Sequence, residues 1–398
     1  MRIFLIDTTI SGHHLSYLRL FAKAFIELQH QVTIISPATN EQILDDNFKE
    51  SLSKLEVRTI NDKLIDFQGG SILAFRKHIK HTWNWLKKAV DETIQLTDIS
   101  PDLVFFSTID PYLGPYTSKH EIDYYFPYPW SGLYMKPQHT IEKWKYGFLR
   151  KFLLNPNHIL QSKNCKTIGI FVEPCAEKLF QIIKKPIIIF PDVVDDAVPD
   201  RSATIVKDIL KQAKGRHIIS LVGSLEKRKG IITLLKAAKK FSTDEFFFVF
   251  AGAISTSSFT KAELSLIDGT NLSNAFFFLN RIPNEGVFNG LISISTIVYA
   301  SYINFSFSSN LIGKAALFNK PVLVTSESFM GSIVEKYKLG KSVQEGNVQE
   351  VYDEILNMAT AEYLNFFKVN NGCAKYIAEN NYLKFQDKLK VLLTNCQL

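Results

Sequence analysis

The chain begins with MRIFLIDTTISGHHLSYLRLFAKAFIELQHQVTIIS over residues 1–36, and the pattern of apolar residues in this segment predicts the fold class. Residues 3–6 form a short apolar run that is typical of a buried strand, and residues 14–28 carry apolar side chains at helical spacing. Residues 31–36 are a second apolar run, which Pro37 ends. Strand, helix and strand with short connections form a βαβ unit, whose strands are parallel and whose crossover is right-handed. The sequence therefore predicts a parallel α/β sheet.

The alternation of strands and helices continues along the chain in two series. The first series adds predicted strands at residues 57–60, 103–106, 167–172 and 187–190. Residues 191–201 contain two prolines, lack periodicity and predict a linker. The second series has predicted strands at residues 217–222, 246–251, 275–279, 297–300 and 322–325, and predicted helices at residues 230–241, 284–292 and 311–318. From about residue 348 the pattern is helical to the end.

These two series predict two facing Rossmann-like domains, each a doubly wound α/β sheet. The expected boundaries are residues 1–195 and 200–375, with residues 376–398 crossing back to the N-terminal domain. In that last segment a helix over residues 381–392 carries an apolar face made of Leu383, Phe385, Leu389 and Leu392. Ligands of such sheets bind beyond the carboxyl ends of the strands, so a cleft between the halves is the expected site.

Composition and charge narrow the class of protein. Hydrophobic residues make up 46% and charged residues 21% of the chain, which is typical of a soluble globular protein and excludes a disordered one. No apolar run reaches the roughly 18–20 residues that a membrane-spanning helix needs. The four cysteines lack metal-like spacing, which predicts free thiols in a reducing compartment. The net charge of +7 indicates an anionic partner, but since no nucleic-acid-binding module is recognised, we expect no nucleic acid.

One loop in the second half combines the features of an anion-binding site. Residues 221–230 are Leu-Val-Gly-Ser-Leu-Glu-Lys-Arg-Lys-Gly and connect a predicted strand to a predicted helix. Glycines, a helix N-terminus and adjacent cations together favour the binding of a phosphate group. The alternative is a solvated basic turn.

The same loop resembles the strand–loop–helix of retaining GT-B glycosyltransferases, the family 4-like glycosyl transferases group 1, which have V-G-R-L, a variable stretch and then K-G. In that family the arginine and the lysine hold the donor diphosphate. Here Lys229 matches the lysine, Gly223 matches the first glycine, Ser224 stands at the arginine position, and Arg228 or Lys227 supplies the missing charge. The resemblance implies that this loop binds the donor.

Further motifs occur in the order in which that family has them. Residues 279–285, Leu-Asn-Arg-Ile-Pro-Asn-Glu, resemble the loop that contacts the nucleobase, which makes Asn280, Arg281 and Ile282 donor-binding candidates. Residues 319–322 resemble a G-x-P-V turn, and residues 331–335, Gly-Ser-Ile-Val-Glu, resemble a G-x-x-E segment with one additional residue between the glycine and the glutamate. Residues 11–14 lie where these enzymes have a Gly-rich acceptor loop.

The E-x7-E signature of the family is degenerate in this chain. Its glutamates, one near the donor sugar and one on the donor ribose, correspond to Ser306 and Lys314. Residues 308–313 still predict a helix N-terminus with Asn310 as its cap and its N–H groups turned to a phosphate, which Lys314 would also meet. The donor-binding candidates of this segment are Ser308, Ser309, Asn310, Leu311 and Lys314.

Two histidines follow the first predicted strand and open the first predicted helix. This is the place where ligands meet parallel sheets, so His13 and His14 are catalytic candidates and Gly12 is an acceptor-binding candidate. Their spacing is not that of a metal site, and we expect no metal. The alternative is a helix cap with a surface imidazole.

Two carboxylates also follow predicted strands of the first half. Asp110 is a catalytic candidate that either orients an acceptor hydroxyl or begins a turn with Pro111. Glu173 precedes Pro174 and either contacts the acceptor or caps a helix.

The resemblance implies a function as well as a fold. It implies a hexosyltransferase-like enzyme without metal or cofactor, which moves a sugar from a nucleotide-sugar donor to a glycan or lipid-linked acceptor with retention, as in polysaccharide biosynthesis. The alternative is a pseudo-glycosyltransferase that binds a glycan, a nucleotide or a partner subunit without turnover, which Ser306 and Lys314 favour. A sugar-nucleotide epimerase shares the fold, but no constellation of carboxylates in the sequence argues for it.

Two stretches rich in basic and aromatic residues, 75–88 and 141–152, are relevant to where the protein lies in the cell. Each places apolar residues on one helical face with lysines and arginines around it, and Trp85 lies off that face. Such helices suit an anionic membrane interface, and ordinary helices packed on the sheet are the alternative. We expect a cytoplasmic protein, with peripheral contact at the inner face of the membrane as an open alternative.

Overall fold

The structure is a computed structural model, and it describes residues 1–9, 14–39, 43, 55–59, 71–141, 153–268 and 272–397. The chain divides into two compact units. The first consists of Met1–Phe190 together with Leu383–Leu398, and the second of Pro191–Tyr382. Among the described residues, no helix is both long enough and apolar enough to cross a membrane.

The first unit is built on a seven-stranded parallel sheet. Its strands are β1 Arg2–Ile6, β2 Gln31–Ser36, β3 Leu55–Thr59, β4 Leu103–Phe106, β5 Trp130–Tyr134, β6 Cys165–Ile170 and β7 Ile187–Ile189. The helices between them are α1 His14–Glu27, α2 Ile72–Thr97, α3 Lys119–Tyr125, α4 Gln138–Ile141 and α5 Ala176–Ile183. The strand order is β3-β2-β1-β4-β5-β6-β7, so the order reverses between β1 and β4, as in doubly wound sheets.

The second unit repeats this plan with a six-stranded parallel sheet. Its strands are β8 His217–Val222, β9 Phe246–Ala251, β10 Ala275–Phe278, β11 Ile297–Ala300, β12 Val322–Thr325 and β13 Gly340–Val343. Its helices are α6 Thr204–Ala213, α7 Ile231–Ala238, α8 Lys261–Asp268, α9 Glu285–Ile294, α10 Asn310–Leu317, α11 Phe329–Tyr337, α12 Val348–Ala359, α13 Ala361–Asn370 and α14 Cys373–Glu379. The order β10-β9-β8-β11-β12-β13 reverses between β8 and β11. The expected α/β class with two Rossmann-like sheets is confirmed.

Apolar side chains fill both faces of the second sheet, which explains its phenylalanine-rich strands. All six residues of β9 are buried, and their side chains alternate between two separate core clusters. A strand covered by helices on both faces needs no polar face, so it becomes a continuous apolar run.

Two strands were not predicted from the sequence because their runs of apolar residues are interrupted or short. The first is β5, Trp-Ser-Gly-Leu-Tyr, in which serine and glycine interrupt the apolar run although every residue is buried. A Cβ on Gly132 would lie 2.9 Å from the carbonyl oxygen of Phe106 in the neighbouring β4, so close strand approach requires glycine there. The second is β13, a mostly exposed edge strand with the sequence Gly-Lys-Ser-Val.

The last helix, α15 (Tyr382–Gln397), belongs to the first unit from Leu383 onward. Phe385 is fully buried, and its ring centroid lies 5.0 Å from those of Phe21 and Phe190. The predicted apolar face is therefore present, but its first member, Leu383, was assigned wrongly because it is 70% exposed. Two residues on a helix of ~3.6 residues per turn are separated by about 200°, so Leu383 and Phe385 point to opposite sides.

The basic aromatic helix α2 packs on the sheet. Its apolar face is buried, and the side chain of Trp83 donates a hydrogen bond to the carbonyl oxygen of Tyr112 at 3.0 Å. Two of its cations, Arg76 and Lys80, pair with Glu121 of α3 at 2.6 and 2.5 Å. The alternative of an ordinary packed helix thus holds for this face, whereas residues 142–152 of the second basic stretch lie outside the described residues.

Candidate functional site

The point where the strand order of the second sheet reverses carries the predicted anion-binding loop. A short helical turn, Lys227–Lys229, follows β8, and Gly230 ends it with a φ of +74° before α7 begins. A Cβ on Gly230 would lie 2.3 Å from the carbonyl oxygen of Ser301, just beyond β11. Glycine is therefore required both by the backbone conformation and by the close approach of the two strand ends.

Lys229 is held in this place by a tyrosine that the sequence analysis did not identify. Its ammonium donates to the hydroxyl of Tyr302 at 3.0 Å and lies 4.8 Å from the centroid of that ring. The same hydroxyl is 3.2 Å from Oγ of Ser309. Tyr302 is only 2% exposed, so it is a fixed support that joins the loop after β8 to the start of α10.

The three cations of the loop differ in how they are neutralised. Arg228 pairs with Glu226 at 2.6 Å and stacks over Phe305 at 5.0 Å, and Lys227 pairs with Glu263 at 2.7 Å. Lys229 contacts a neutral hydroxyl and an aromatic face, and no carboxylate among the described residues forms an ion pair with it. Its charge is therefore the one left for an external anion.

A second glycine, Gly223, leaves the space beside the Lys229 ammonium free of a side chain. Gly223 has a φ of +107°, and a Cβ placed on it would lie 3.5 Å from Nζ of Lys229 and 3.8 Å from the ring of Phe288. Ser224, at the position of the family's arginine, is exposed. The strand end, the lysine and the aromatic ring thus converge on one spot.

The start of α10 is capped by a different residue from the one predicted. Ser309 is the N-cap, and its Oγ accepts from the backbone N–H of Leu311 at 3.4 Å, so the assignment of the cap to Asn310 was wrong by one position. Ser308 donates its hydroxyl to the carboxylate of Asp192 at 2.7 Å. The side chain of Leu311 is buried, so only its backbone is available to a ligand.

Lys314 does not face solvent, which corrects the expectation that it meets a phosphate. Its side chain is 1% exposed, and its ammonium contacts the carboxylate of Glu285 at 2.7 Å and the amide oxygen of Asn289 at 2.8 Å. The carbonyl oxygen of Asp195 accepts from it at 3.4 Å. Protein groups therefore surround the position where the resemblance expects a carboxylate.

The predicted nucleobase loop follows the edge strand β10. Asn280 and Arg281 are exposed, whereas Ile282 is half-buried and packs against the core. Two strands, β9 and β8, separate β10 from the reversal point. The loop is accessible, and among its three candidates only Ile282 is anchored in the core.

In the first unit, the reversal point between β1 and β4 brings together a carboxylate, an imidazole and a hydroxyl. Asp7, directly after β1, is fully buried and accepts from Nδ1 of His14 at 3.0 Å and from the backbone N–H of Thr9 at 2.9 Å. The hydroxyl of Ser107, directly after β4, donates to its other oxygen. Gly12 and His13 lie outside the described residues. The sequence signal for Asp7 was an acidic residue at the end of the first strand.

The other two carboxylate candidates have contrasting surroundings. Asp110 begins a short turn with Pro111, and its carboxylate accepts from the backbone N–H groups of Met135 and Lys136 at 2.9 and 2.8 Å. Burial raises the pKa of Asp110, and these hydrogen bonds oppose the rise. Glu173 is exposed and is the first residue of the turn Glu173–Cys175, whose N-cap residue is Val172.

The cysteines and possible metal ligands offer no further chemistry in the described part of the chain. All four cysteines are buried free thiols, and burial raises the pKa of Cys165 and Cys396 to about 12. Such thiols stay protonated and unreactive at neutral pH. Within the described ranges, no three His, Cys, Asp or Glu side chains converge as a metal site requires.

A comparison with models of known protein families finds one match in the second unit. The profile of the family "Glycosyl transferases group 1" matches residues 203–377, which lie within the second unit. No curated protein sequence matches the chain significantly.

Solved structures match over the whole length. A glycosyltransferase from Rickettsia africae ESF-5 has 14% identity and a TM-score of 0.65, covering 99% of this chain and 98% of that one. Anabaena Alr3699/HepE, solved with UDP-glucose, has 14% identity and a TM-score of 0.68, covering 99% and 100%. A UDP-forming α,α-trehalose-phosphate synthase from Burkholderia xenovorans has 9% identity and a TM-score of 0.71, covering 100% and 99%.

At such low identity the likeness establishes the fold. The chain thus has the GT-B fold of known glycosyltransferases, and its residues 203–377 match the glycosyl transferases group 1 family.

Proposed function

We propose that the protein transfers a glycosyl group from a nucleotide sugar, held by the second unit, to an acceptor hydroxyl held by the first unit. The observation that carries this proposal is the Lys229 ammonium, held by Tyr302 at the reversal point of the sheet with no ion-paired carboxylate among the described residues. Ligands of doubly wound sheets bind at that point, and an uncompensated cation there selects an anion. The diphosphate of a nucleotide sugar supplies such an anion.

The proposed chemistry is mainly positioning and charge stabilisation. As the bond from the sugar to the diphosphate breaks, negative charge develops on the departing oxygen, and we propose that Lys229 stabilises this charge. The N–H groups at the start of α10, next to Ser309, add a positive dipole end. Because these groups can stabilise the charge that a metal ion stabilises in other enzymes, we propose a reaction that requires neither metal nor cofactor.

The donor and the stereochemical course are finer parts of the proposal. Solved complexes of Anabaena Alr3699/HepE contain UDP and UDP-glucose, which supports a hexosyl nucleotide as donor for this chain. The resemblance of residues 221–230 and 279–285 to retaining enzymes supports retention of configuration. For the acceptor we propose a glycan or a lipid-linked sugar, as polysaccharide biosynthesis requires.

A peripheral membrane location in the cytoplasm is the proposed setting. Support comes from the first turn of α2, where Ile72 is 57% and Leu73 is 75% exposed, next to the exposed Lys77. Apolar side chains beside cations suit the surface of an anionic membrane.

A pseudo-glycosyltransferase that binds nucleotide without turnover is the second candidate. The buried Lys314 favours it, because it stands where the resemblance expects a carboxylate for the donor ribose. The two candidates share the anion site and differ only in whether donor is consumed.

The test offers the purified chain a mixed pool of sugar nucleotides with membrane extract as acceptor and measures donor loss, including hydrolysis. We expect donor consumption that Lys229→Ala abolishes. Lys236→Ala is the matched control, because Lys236 is an exposed cation on the adjoining α7. Nucleotide binding without donor loss across the whole pool would identify the pseudoenzyme instead.

A further inference from the structure

Three side chains beside the anion-binding loop form one hydrogen-bonded chain within the second unit. The ammonium of Lys229 lies 3.0 Å from the hydroxyl of Tyr302, and that hydroxyl lies 3.2 Å from Oγ of Ser309. Oγ of Ser309 also accepts from the backbone N–H of Leu311 at 3.4 Å. Tyr302 is buried whereas Ser309 is half-buried, so the serine is the more accessible of the two to a ligand.

The backbone around Tyr302 is held on two sides. The carbonyl oxygen of Tyr302 accepts from the hydroxyl of Thr325, the last residue of β12, at 2.5 Å. The next residue, Ile303, donates its backbone N–H to the carbonyl oxygen of Arg228 at 2.7 Å. Backbone bonds thus join the tyrosine both to the sheet and to the loop that carries Lys229. The phenolic hydroxyl therefore has a fixed position beside the ammonium.

The chemistry of the three groups sets the direction of each proton in this chain. An ammonium can only donate, so Lys229 donates to the oxygen of Tyr302 and cannot accept the phenolic proton. A buried hydroxyl proton without an acceptor is costly, and the structure places Oγ of Ser309 beside it as an acceptor. Oγ then accepts from Tyr302 and from Leu311, which occupies both of its lone pairs. The hydroxyl proton of Ser309 has no acceptor among the described residues and is left for a ligand.

We propose that Tyr302 is a positioning residue that presents the Lys229 ammonium and the Ser309 hydroxyl together to a diphosphate. This inference rests on the proposed function, because it takes a nucleoside diphosphate as the ligand. Lys229 keeps N–H donors beyond the one that it gives to Tyr302, and Ser309 adds an O–H donor. Hydrogen bonds in a chain polarise one another, so the charge of the lysine also strengthens the serine as a donor.

The experiment measures by calorimetry the affinity of the parent chain and its variants for UDP, GDP and ADP, with the tightest of the three as probe. Tyr302→Phe keeps the ring beside the ammonium and removes only the hydroxyl, so we expect Kd to rise about 2–10-fold. Ser309→Gly removes the O–H donor at little cost to the helix cap, and we expect Kd to rise about 10–100-fold, as for a lost hydrogen bond to a charged group. Ser309→Thr retains a hydroxyl and should recover most of the affinity that Ser309→Gly loses.

A double variant and a matched control separate positioning from packing. Tyr302→Phe should weaken binding less in the Ser309→Gly background than in the parent, because the serine is one of the two donors that it positions. Tyr299→Phe is the control. Tyr299 is a buried residue of β11 whose hydroxyl donates to the carbonyl oxygen of Gly230 at 3.4 Å, so it holds the backbone of the same loop rather than the ammonium. Its loss should leave nucleotide affinity unchanged.

The outcomes distinguish this inference from the proposed transfer. A parent chain that consumes no donor, with the variants weakened as expected, overturns the transfer and supports the positioning role. A parent chain that binds none of the three nucleotides overturns the anion site and this inference with it. Parent-like affinity in both Tyr302→Phe and Ser309→Gly overturns the positioning role alone. An equal loss of affinity in Tyr299→Phe and Tyr302→Phe, accompanied by an equal fall in Tm, also overturns it, because the hydroxyl would then act only through the stability of the loop.

Discussion

The ammonium of Lys314 lies 2.7 Å from the carboxylate of Glu285, although only 1% of the lysine side chain is exposed while the glutamate is 46% exposed. Every other polar atom identified around the ammonium is an acceptor, namely the amide oxygen of Asn289 and the carbonyl oxygen of Asp195. The side-chain amide of Asn289 cannot flip to present its nitrogen to Lys314, because that nitrogen already donates to the carbonyl oxygens of Asp195 and Ala197. This part of the second unit is built around a cation.

Placing the family's glutamate at position 314 should therefore lower the stability of this protein. Lys314→Glu buries a carboxylate among acceptors and beside Glu285, and we expect the free energy of unfolding to fall by about 2–4 kcal/mol. Urea unfolding measures the change. Adding Glu285→Lys should recover only part of the loss, because Asn289 still presents an oxygen. Lys211→Glu, the same charge change at an exposed site in α6, should stay within about 1 kcal/mol of the parent. A Lys314→Glu variant as stable as the parent would refute this view.

Lys229 should contribute to nucleotide affinity but little to stability. Lys229→Ala removes a charge-assisted hydrogen bond to the diphosphate, so we expect nucleotide binding to weaken by about 1.5–3 kcal/mol. Calorimetry with a nucleoside diphosphate measures this. Tm should change little, because the side chain lies on a loop and the hydroxyl of Tyr302, to which it donates, keeps Ser309 as a partner. Equal affinities of variant and parent would remove Lys229 from the site.

The last helix offers a paired test of burial. Phe385→Ala deletes a fully buried ring that packs on Phe21 and Phe190, and losses for such substitutions are about 3–5 kcal/mol. Leu383→Ala on the same helix removes a side chain that is 70% exposed and should change the free energy of unfolding by less than about 0.5 kcal/mol. Chemical denaturation followed by circular dichroism compares the two. Similar losses in both variants would contradict the packing of α15 described here.

The ion pairs of Glu121 predict a dependence of stability on pH. Burial acts to raise the pKa of Glu121, but hydrogen bonds from Lys80, Ser118 and Arg76 outweigh it and lower the pKa to about 2 from an ordinary 4.5. A carboxyl with a lowered folded pKa stabilises the fold above its unfolded pKa and loses that contribution as the pH falls toward the folded value. Because the partners are partly exposed, we expect a contribution of about 1–2 kcal/mol.

The measurement compares Glu121→Gln with the parent by urea unfolding at several pH values. The variant should be less stable at neutral pH, and the difference should shrink steadily as the pH falls below about 4.5. Glu177→Gln, at an exposed position of α5, serves as control and should show little difference at any pH. A difference between Glu121→Gln and the parent that stays constant into the acid range would rule out the ion pairs as its source.

The architecture and one half of the candidate site could be predicted from local sequence patterns. The alternation of strand and helix periods is a local property, because side-chain direction repeats every two residues in a strand and about every 3.6 in a helix. That is why residues 1–36 predicted a parallel sheet and residues 200–375 predicted a second one. The sequence also predicted the anion-binding residues Gly223, Lys229 and Gly230. Glycines and cations at the start of a helix form a motif of consecutive residues, which can be recognised without the fold.

Which side chains contact one another in the site depends on the tertiary fold. Asp7, His14 and Ser107 converge because β1 and β4 are neighbours in the sheet although a hundred residues separate their ends, and no local pattern encodes that contact. Tyr302 supports Lys229 for the same reason, since β8 and β11 lie side by side. The surroundings of Lys314 are likewise assembled from distant segments. Local periodicity fixes the elements, whereas partners across a sheet are set by packing and strand order.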